Sequence, residues 1–409
     1  MSLIKGKKGV IIFMNILIVV GGCLKTNSSA NLCHIAYIKG FIESGHKVDV
    51  LSVSNKNQFI DESIELPKGA NYIYYNDSIL MNFVNAEIRE NLYTKSKNSK
   101  SINTNLYNEL KNFILKRYGL FGHTIAWMNK VLKHFHPKIE YDLVISLSTP
   151  VLSHFATNKI IENKNVICKK YCQIWEDPWY LDLLKENKNE DILDIEREIL
   201  SRADKVIYVS PITLKNQSLL IPEEKNKYDW LPLPYYYVNN KISSFENGLY
   251  FGYFGNYYPE SRNLDPFYRT ALKMNLRVDI CGMPNSLYES KGSIQIYPRL
   301  PLSELKKHED KVNVLILVCN LYGGQIPGKI YQYSATYKKI LFILDGTQEE
   351  KEVIKSYFSQ FNRYYFCENT SESIEQAITK MQNSVACENI VQYFAPRNIA
   401  EEIIRKVII

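Results

Sequence analysis

Asn15-Ile16-Leu17-Ile18-Val19-Val20-Gly21-Gly22 is the stretch that decides the fold. A continuous aliphatic run reads as a strand buried on both faces, and the glycine pair breaks it. Residues 28–44 then read as a helix. Leu32, Ile35, Ala36, Ile38, Phe41 and Ile42 fall near helical spacing, and Gly45 sits where a C-cap belongs. A second strand follows at 48–53. Strand, glycine turn, helix and strand make a βαβ unit, and hence a parallel sheet.

The same grammar continues along the chain. Strands are expected at 141–147, 170–174 and 205–209, with helices at 151–161 and 191–201 between them. Residues 55–108 are poorly periodic and end in a Lys/Ser/Asn-rich run that reads as an exposed loop. Residues 230–247 carry Pro232, Pro234 and three consecutive tyrosines, and read as a linker between domains. The pattern restarts with a strand at 249–254, the turn Gly255-Asn256, and a helix over 262–274. Further strands are expected at 277–281, 294–297, 312–318 and 340–344, and helices at 371–381 and 399–407. The expectation is α/β: two doubly wound Rossmann-like domains, 1–235 and 248–390. A terminal helix in 391–409 is expected to pack back on the first domain. Ligands of such sheets bind at the carboxyl ends of the strands.

Composition agrees with a globular protein. The chain has 409 residues, 45% hydrophobic and 23% charged, which corresponds to roughly two to three domains of ordinary size. No run approaches the roughly 18 apolar residues that a spanning helix needs. Lys5, Lys7 and Lys8 precede the apolar stretch 9–22 and resemble a signal peptide. The absence of a small-x-small cleavage site, and the glycine turn that follows, favour a first strand. Residues 1–13 read as an upstream start or leader before Met14. The eight cysteines show no CxxC or zinc spacing, and several sit in apolar strand patterns. That favours a reducing cytoplasm. The net charge of +7 is spread over the chain, and no nucleic-acid partner is expected. A basic, aromatic stretch over 111–138, with Lys111, Lys116, Arg117, Trp127, Lys130, Lys133 and His134, reads as a peripheral membrane contact or as a solvated helix face.

Three constellations could carry chemistry. Gly21 and Gly22 follow the first strand, where glycines let backbone amides approach a phosphate; a plain turn fits equally. They lack the GxGxxG pattern of a dinucleotide site. Gly255 and Asn256, with Arg262 shortly beyond, place a bidentate guanidinium where a diphosphate would lie; an exposed arginine at a helix start is the alternative. Gly323-Gly324-Gln325-Ile326-Pro327-Gly328-Lys329-Ile330-Tyr331-Gln332-Tyr333 opens a helix with a lysine in its first turn, against the helix dipole. A bound anion would reconcile Lys329 with Pro327 and Gly328, and Gln332 is placed to bond a ribose or sugar hydroxyl. His34 and His154 fall inside expected helices and read as structural.

The segment from Ile326 through Lys329 and Gln332 to Leu341 resembles the donor-binding motif of glycosyltransferase family four. Asp142 with Pro150, Glu176-Asp177-Pro178-Trp179, 203–210, 252–256 and 393–397 fit the same family in order and spacing. The resemblance covers most of the chain outside about 55–140. It implies the GT-B fold, with two Rossmann-like domains facing a central cleft. It implies transfer of a sugar from a nucleotide-sugar donor to a saccharide or lipid-linked acceptor, in cell-surface polysaccharide synthesis. Anomeric configuration would be retained, without a metal and without a cofactor beyond the nucleotide-sugar co-substrate. It places Gly21 and Gly22 in a loop facing the donor phosphate. Asn256 and Arg262 fall on the diphosphate, and Gly328 and Lys329 on phosphate at a helix start. The family usually carries two glutamates eight residues apart; these positions are Gly324 and Gln332 here. No acidic DxD pair suited to a metal is evident. Arg262 and Lys329 would stabilise the departing diphosphate. Asp177, between Trp175 and Trp179, whose rings could stack on a sugar face, would contact the acceptor or sugar, or else cap a turn or helix. A cytoplasmic site, at or near the inner membrane face, follows from the lipid-linked acceptors of related enzymes. The competing readings are a nucleotide-sugar epimerase of the same fold and a catalytically silent nucleotide-sugar-binding subunit.

Overall fold

A computed structural model describes residues 3–5, 10–56, 60–77, 121, 124–182, 190–241, 248–283, 287–383 and 389–408. The strands are β1 (Leu3–Lys5), β2 (Val10–Ile12), β3 (Asn15–Val20), β4 (Lys47–Val53), β5 (Ala70–Tyr75), β6 (Glu140–Leu147), β7 (Ile167–Trp175), β8 (Lys205–Tyr208), β9 (Tyr228–Trp230), β10 (Tyr250–Phe254), β11 (Arg277–Cys281), β12 (Ile294–Tyr297), β13 (Val314–Val318), β14 (Lys339–Leu344) and β15 (Tyr365–Glu368). The helices are α1 (Ser29–Glu43), α2 (Ile125–His134), α3 (Leu152–Glu162), α4 (Glu190–Ser201), α5 (Pro211–Leu220), α6 (Asp265–Lys273), α7 (Leu302–Lys311), α8 (Lys329–Tyr333), α9 (Gln348–Ser359), α10 (Ser371–Gln382) and α11 (Pro396–Ile408). The chain forms two compact units. One comprises Met1–Glu176, Arg197–Ile207 and Arg405–Ile409; the other comprises Asp177–Glu196 and Tyr208–Ile404.

The first large sheet has the order β5-β4-β3-β6-β7-β8-β9. Its central register is parallel, running from Ile16 beside Leu143 to Val20 beside Leu147. β3 is buried along nearly all of its length because both faces are covered, which is why its sequence is continuously aliphatic. Ser28 caps α1 by accepting from the Asn31 N–H. At the other end Gly45 N–H bonds the Ile42 carbonyl and His46 N–H bonds that of Phe41, so the expected glycine stop is a paired C-terminal motif. β5 lies inside the stretch read as poorly periodic. It is an edge strand whose residues are only half covered, so its apolar signal is diluted. In α2, Trp127 is buried in the core and Lys130 donates to the carbonyls of Asn76 and Asp77. The Trp127 side chain therefore does not belong to a membrane-facing surface, while Lys111, Lys116 and Arg117 lie outside the described residues.

A polar network sits inside this unit. Ser146 Oγ bonds His154 Nδ1 at 2.6 Å and the Tyr171 hydroxyl at 2.9 Å. The His154 ring stacks on Trp175, with centroids 4.3 Å apart. Burial, with His34 adding to it, holds the His154 imidazole well below the usual histidine range.

The second large sheet has the order β12-β11-β10-β13-β14-β15, and every strand pair in it is parallel. Counted from its own first strand, this is the 3-2-1-4-5-6 order of a doubly wound nucleotide-binding sheet. Its core gathers Phe251, Val278, Ile280, Val314, Ile316, Leu341 and Ile343 against Phe267 of α6 and Ile374 and Ile378 of α10. α6 begins at Asp265 rather than at 262, with Pro266 in its first turn, so Arg262 belongs to the preceding loop. Thr347 and Glu350 form a capping box at the start of α9. Among the described residues no helix is long and apolar enough to cross a membrane.

The buried imidazole sets a pH dependence. An unfolded His154 takes up a proton as pH falls below about 6.5, while the folded one does not. Stability is therefore complete above that pH and is lost as pH drops toward the depressed folded value. In urea melts at a series of pH values between about 5 and 7, His154→Gln should flatten this slope relative to wild type. An unchanged slope would show that His154 is protonated in the folded protein.

Candidate functional site

Both sheets reverse their winding direction beside their first strand, and each reversal opens a crevice at the carboxyl ends of the diverging strands. In the first unit these are the ends of β3 and β6. The Gly21 N–H donates to Ser153 Oγ at 2.8 Å, and the Gly22 carbonyl accepts from the Val53 N–H at 3.2 Å. The glycine turn is thus tied to the start of α3 and to the end of β4, and its Gly21 amide already has an acceptor. Close by, His34 Nε2 donates to the Ser148 carbonyl at 2.8 Å and lies 3.4 Å from Glu176 Oε1. The Glu176 N–H donates to Ser148 Oγ. Burial raises the Glu176 carboxyl above the usual range, and His34 opposes that shift. His34 and His154 lie in α1 and α3, as the sequence reading placed them.

Asp177 is half-buried and follows Glu176 just past the end of β7. Of its flanking tryptophans, Trp175 is fully buried and donates Nε1–H to Gln173 Oε1 at 3.0 Å, so it is closed to a sugar. Trp179 is half-buried. In the sequence Glu176 stands only as part of a family segment; its pairing with His34 is not legible there, because the two lie far apart in the chain and no local pattern joins them.

In the second unit the diverging strands are β10 and β13. The Gly255 N–H donates to the Cys281 carbonyl at 3.0 Å. The turns after β10 and β11 approach so closely that a Cβ on Gly282 would stand 1.8 Å from the Gly255 carbonyl oxygen. Arg262 spans the crevice. Its Nε and Nη2 donate to Asn320 Oδ1 at 3.1 and 2.8 Å, and its Nη1 lies 3.5 Å from the Asn256 carbonyl oxygen. The guanidinium therefore joins the loop after β10 to the loop after β13. Asn320 passes the link on, donating to the Gln325 carbonyl at 3.2 Å. Asn320 was not singled out from sequence, because an asparagine after a strand is ordinary turn chemistry.

The loop from Gly323 to Gly328 leads into α8. Gly324 has φ +69°, and a Cβ there would lie 2.1 Å from Ile212 Cγ2. Its carbonyl accepts from Ser210 Oγ at 2.7 Å, the same hydroxyl that caps α5. A side chain is excluded at this position by both conformation and space. Pro327 and Gly328 start the helix, their carbonyls accepting from the Ile330 and Tyr331 N–H groups. α8 is a short element, so its dipole is small and attraction for an anion rests chiefly on Lys329. The ammonium of Lys329 is partly exposed and lies 4.0 Å from Glu309 Oε1. Gln332 grips the segment read as a linker. Its Oε1 accepts from the Tyr236 and Tyr237 N–H groups at 2.9 and 3.3 Å, and its Nε2 donates to the Tyr237 carbonyl at 2.7 Å. The unit thus brings Gly255, Asn256, Arg262, Pro327, Gly328 and Lys329 to the carboxyl side of one sheet, while the Gln332 amide is bonded to backbone.

These contacts explain the two departures from the glutamate pair. Gly324→Glu should clash with Ile212, and Gln332→Glu should lose its donor to the Tyr237 carbonyl and set a carboxylate against it. Each should destabilise the protein by roughly 1–3 kcal/mol in chemical denaturation. A neutral Gly324→Glu would mean that the loop does not lie against Ile212.

No protein-family model matches the chain, and no curated protein matches it in sequence. Among solved structures the chain is similar to sucrose-phosphate synthase from Thermosynechococcus elongatus. The TM-score is 0.56 at 12% identity, over 96% of this chain and 93% of that one. It is also similar to the catalytic domain of starch synthase IV from Arabidopsis thaliana bound to ADP and acarbose. There the TM-score is 0.55 at 7% identity, over 91% and 92% of the two chains. Identities this low speak for the fold alone, and the fold, two parallel Rossmann-like sheets with helices, is that of the GT-B glycosyltransferases.

Proposed function

We propose that this chain is a glycosyltransferase that moves a sugar from a nucleotide-sugar donor to a saccharide or lipid-linked acceptor. The first α/β half, 1–235, serves the acceptor and the second, 248–390, serves the donor. The observation that carries the reading is Arg262, which spans the crevice where the winding of the second sheet reverses, in the unit that also presents Lys329. Two cations at the carboxyl side of a doubly wound sheet suit a diphosphate. The starch synthase with the similar fold was solved with ADP bound, which is consistent with a nucleoside diphosphate here.

The chemistry asked of these residues is modest. As the bond from the anomeric carbon to the diphosphate oxygen breaks, negative charge grows on the leaving group. Arg262 and Lys329 neutralise that charge, and backbone of the Gly255-Asn256 turn and the Pro327-Gly328 helix start shapes the pocket around it. With both charges supplied by side chains, no metal is required. The acceptor hydroxyl attacks the anomeric carbon from the face that the leaving group vacates, its proton passing to the departing diphosphate oxygen, so configuration is retained, and Asp177 orients the acceptor or the transferred sugar. Synthesis of cell-surface polysaccharide at the cytoplasmic face of a membrane is the setting we infer, resting on the family resemblance. One observation favours a second reading. Gly324 and Gln332 stand where carboxylates are usual, and the Gln332 amide is engaged with backbone, as a silent nucleotide-sugar-binding subunit would allow.

A thermal-shift screen against UDP-, GDP-, ADP- and CMP-sugars, with NAD as control, tests the donor site. Ligand at 100 times its Kd should stabilise the fold by about 2.7 kcal/mol. A shift with one nucleotide class supports the reading and names the donor for acceptor trials. Folded protein that responds to none of them would exclude it. Arg262→Ala should weaken the donor response or lower turnover at least about tenfold, a loss of about 1.4 kcal/mol. Binding of a nucleotide sugar without transfer to any acceptor would favour the silent subunit. A changed sugar in the absence of acceptor would favour an epimerase.

A further inference from the structure

Glu309, on α7, is a buried carboxylate that the proposed reaction does not use. Its side chain is held at two points. Oε2 accepts from the Tyr237 hydroxyl, while Oε1 has no hydrogen-bond partner and lies 4.0 Å from Lys329 Nζ. A carboxylate oxygen withdrawn from water without a hydrogen bond is costly unless a cation compensates. Lys338 and Lys329 both act on this one. Lys338 Nζ is committed to the Val312 carbonyl at 2.5 Å, whereas Lys329 Nζ makes no hydrogen bond among the described residues. At 4.0 Å the Lys329 contact is ionic and leaves the ammonium protons available to an incoming anion.

Tyr237 is in turn fixed by Gln332, which grips the backbone of residues 236 and 237 from α8, the helix that Lys329 opens. Burial first, and Glu309 second, push the Tyr237 phenol well above its ordinary range, so it remains a hydrogen-bond donor. The Lys306 ammonium lies over the same ring, 4.1 Å from its centroid. Gln332, Tyr237, Glu309 and Lys329 form a closed circuit: α8 holds the segment, the segment holds the carboxylate, and the carboxylate faces the lysine at the start of α8.

We infer that Glu309 is a positioning residue that presents the Lys329 ammonium to a phosphate group, with Tyr237 and Gln332 fixing the carboxylate in place. This rests on the donor-site reading for its phosphate, but not for the contact between the two side chains. The circuit also accounts for a lysine at a helix start, where the dipole alone disfavours it.

The test uses full-length protein labelled with 13C at lysine Cε, with the Lys329 signal assigned from Lys329→Met. In wild type the Lys329 signal should relax as an ordered side chain. In Glu309→Gln it should relax as a mobile surface lysine. Calorimetric titration with inorganic pyrophosphate should show affinity falling about fivefold in Glu309→Gln, comparable to one well-placed hydrogen bond. The same change should have no further effect on Lys329→Met, which a merely structural role would not predict. Tyr237→Phe serves as the milder variant, with a smaller change in the same direction, should Glu309→Gln not fold. Unchanged order at Lys329, or tighter pyrophosphate binding in Glu309→Gln, would overturn the inference; the latter would show the carboxylate competing with the anion. If wild-type protein takes up no pyrophosphate, the donor-site reading fails, and the side-chain order still decides whether Glu309 holds Lys329.

Discussion

One guanidinium holds the candidate site together. Strands β10 and β13 are neighbours in the sheet, but the connections that follow them leave in opposite directions, so the loops beyond their ends tend to part. Arg262 closes that gap by donating twice to Asn320 Oδ1 and reaching the Asn256 carbonyl. Its position in a loop, with α6 starting only at Asp265, is what lets the side chain turn back over the sheet edge. A helical Arg262 would project from the helix surface instead. The loop after β13 then continues through Gln325 to Gly328 and places Lys329 on the same edge.

The positions that depart from the family motif are explained by packing as much as by chemistry. Gly324 is held by a positive φ, by contact with Ile212 and by the Ser210 hydroxyl, and no side chain fits there. Gln332 both donates to and accepts from one peptide segment, which a glutamate could not do. Negative charge has not vanished from the neighbourhood; it enters from another helix, at Glu309. The local electrostatics around Lys329 are therefore set in part by Glu309, which lies outside the 323–333 segment.

The extent to which this was legible in sequence follows from how each feature is encoded. β3, β13 and β14 are buried along nearly all of their length and announce themselves as apolar runs. Edge strands β5 and β15 are half covered and lack that signal. Turn glycines act locally, so Gly45 and the start of α8 could be read from neighbouring residues. Arg262 and Lys329 were legible as charges after strand ends. What they touch was not, because Asn320 and Glu309 reach them through the fold rather than along the chain. Trp175 misled for a related reason: a tryptophan beside an acidic turn reads as a sugar platform, but strand alternation turns its ring inward onto His154.

The first unit shows how a buried acid can be held beside a strand end by residues distant in the chain. Ser148 accepts from His34 through its carbonyl and from the Glu176 N–H through its hydroxyl, so one residue after β6 fixes both members of an acid–imidazole pair. Burial raises the carboxyl of Glu176 above the usual range, and His34 works against that shift. Asp177, the next residue, shares that strand end without sharing its burial. Of the two adjacent carboxyl groups, Glu176 is enclosed beside His34 and suits a structural role, while half-buried Asp177 is the more open one.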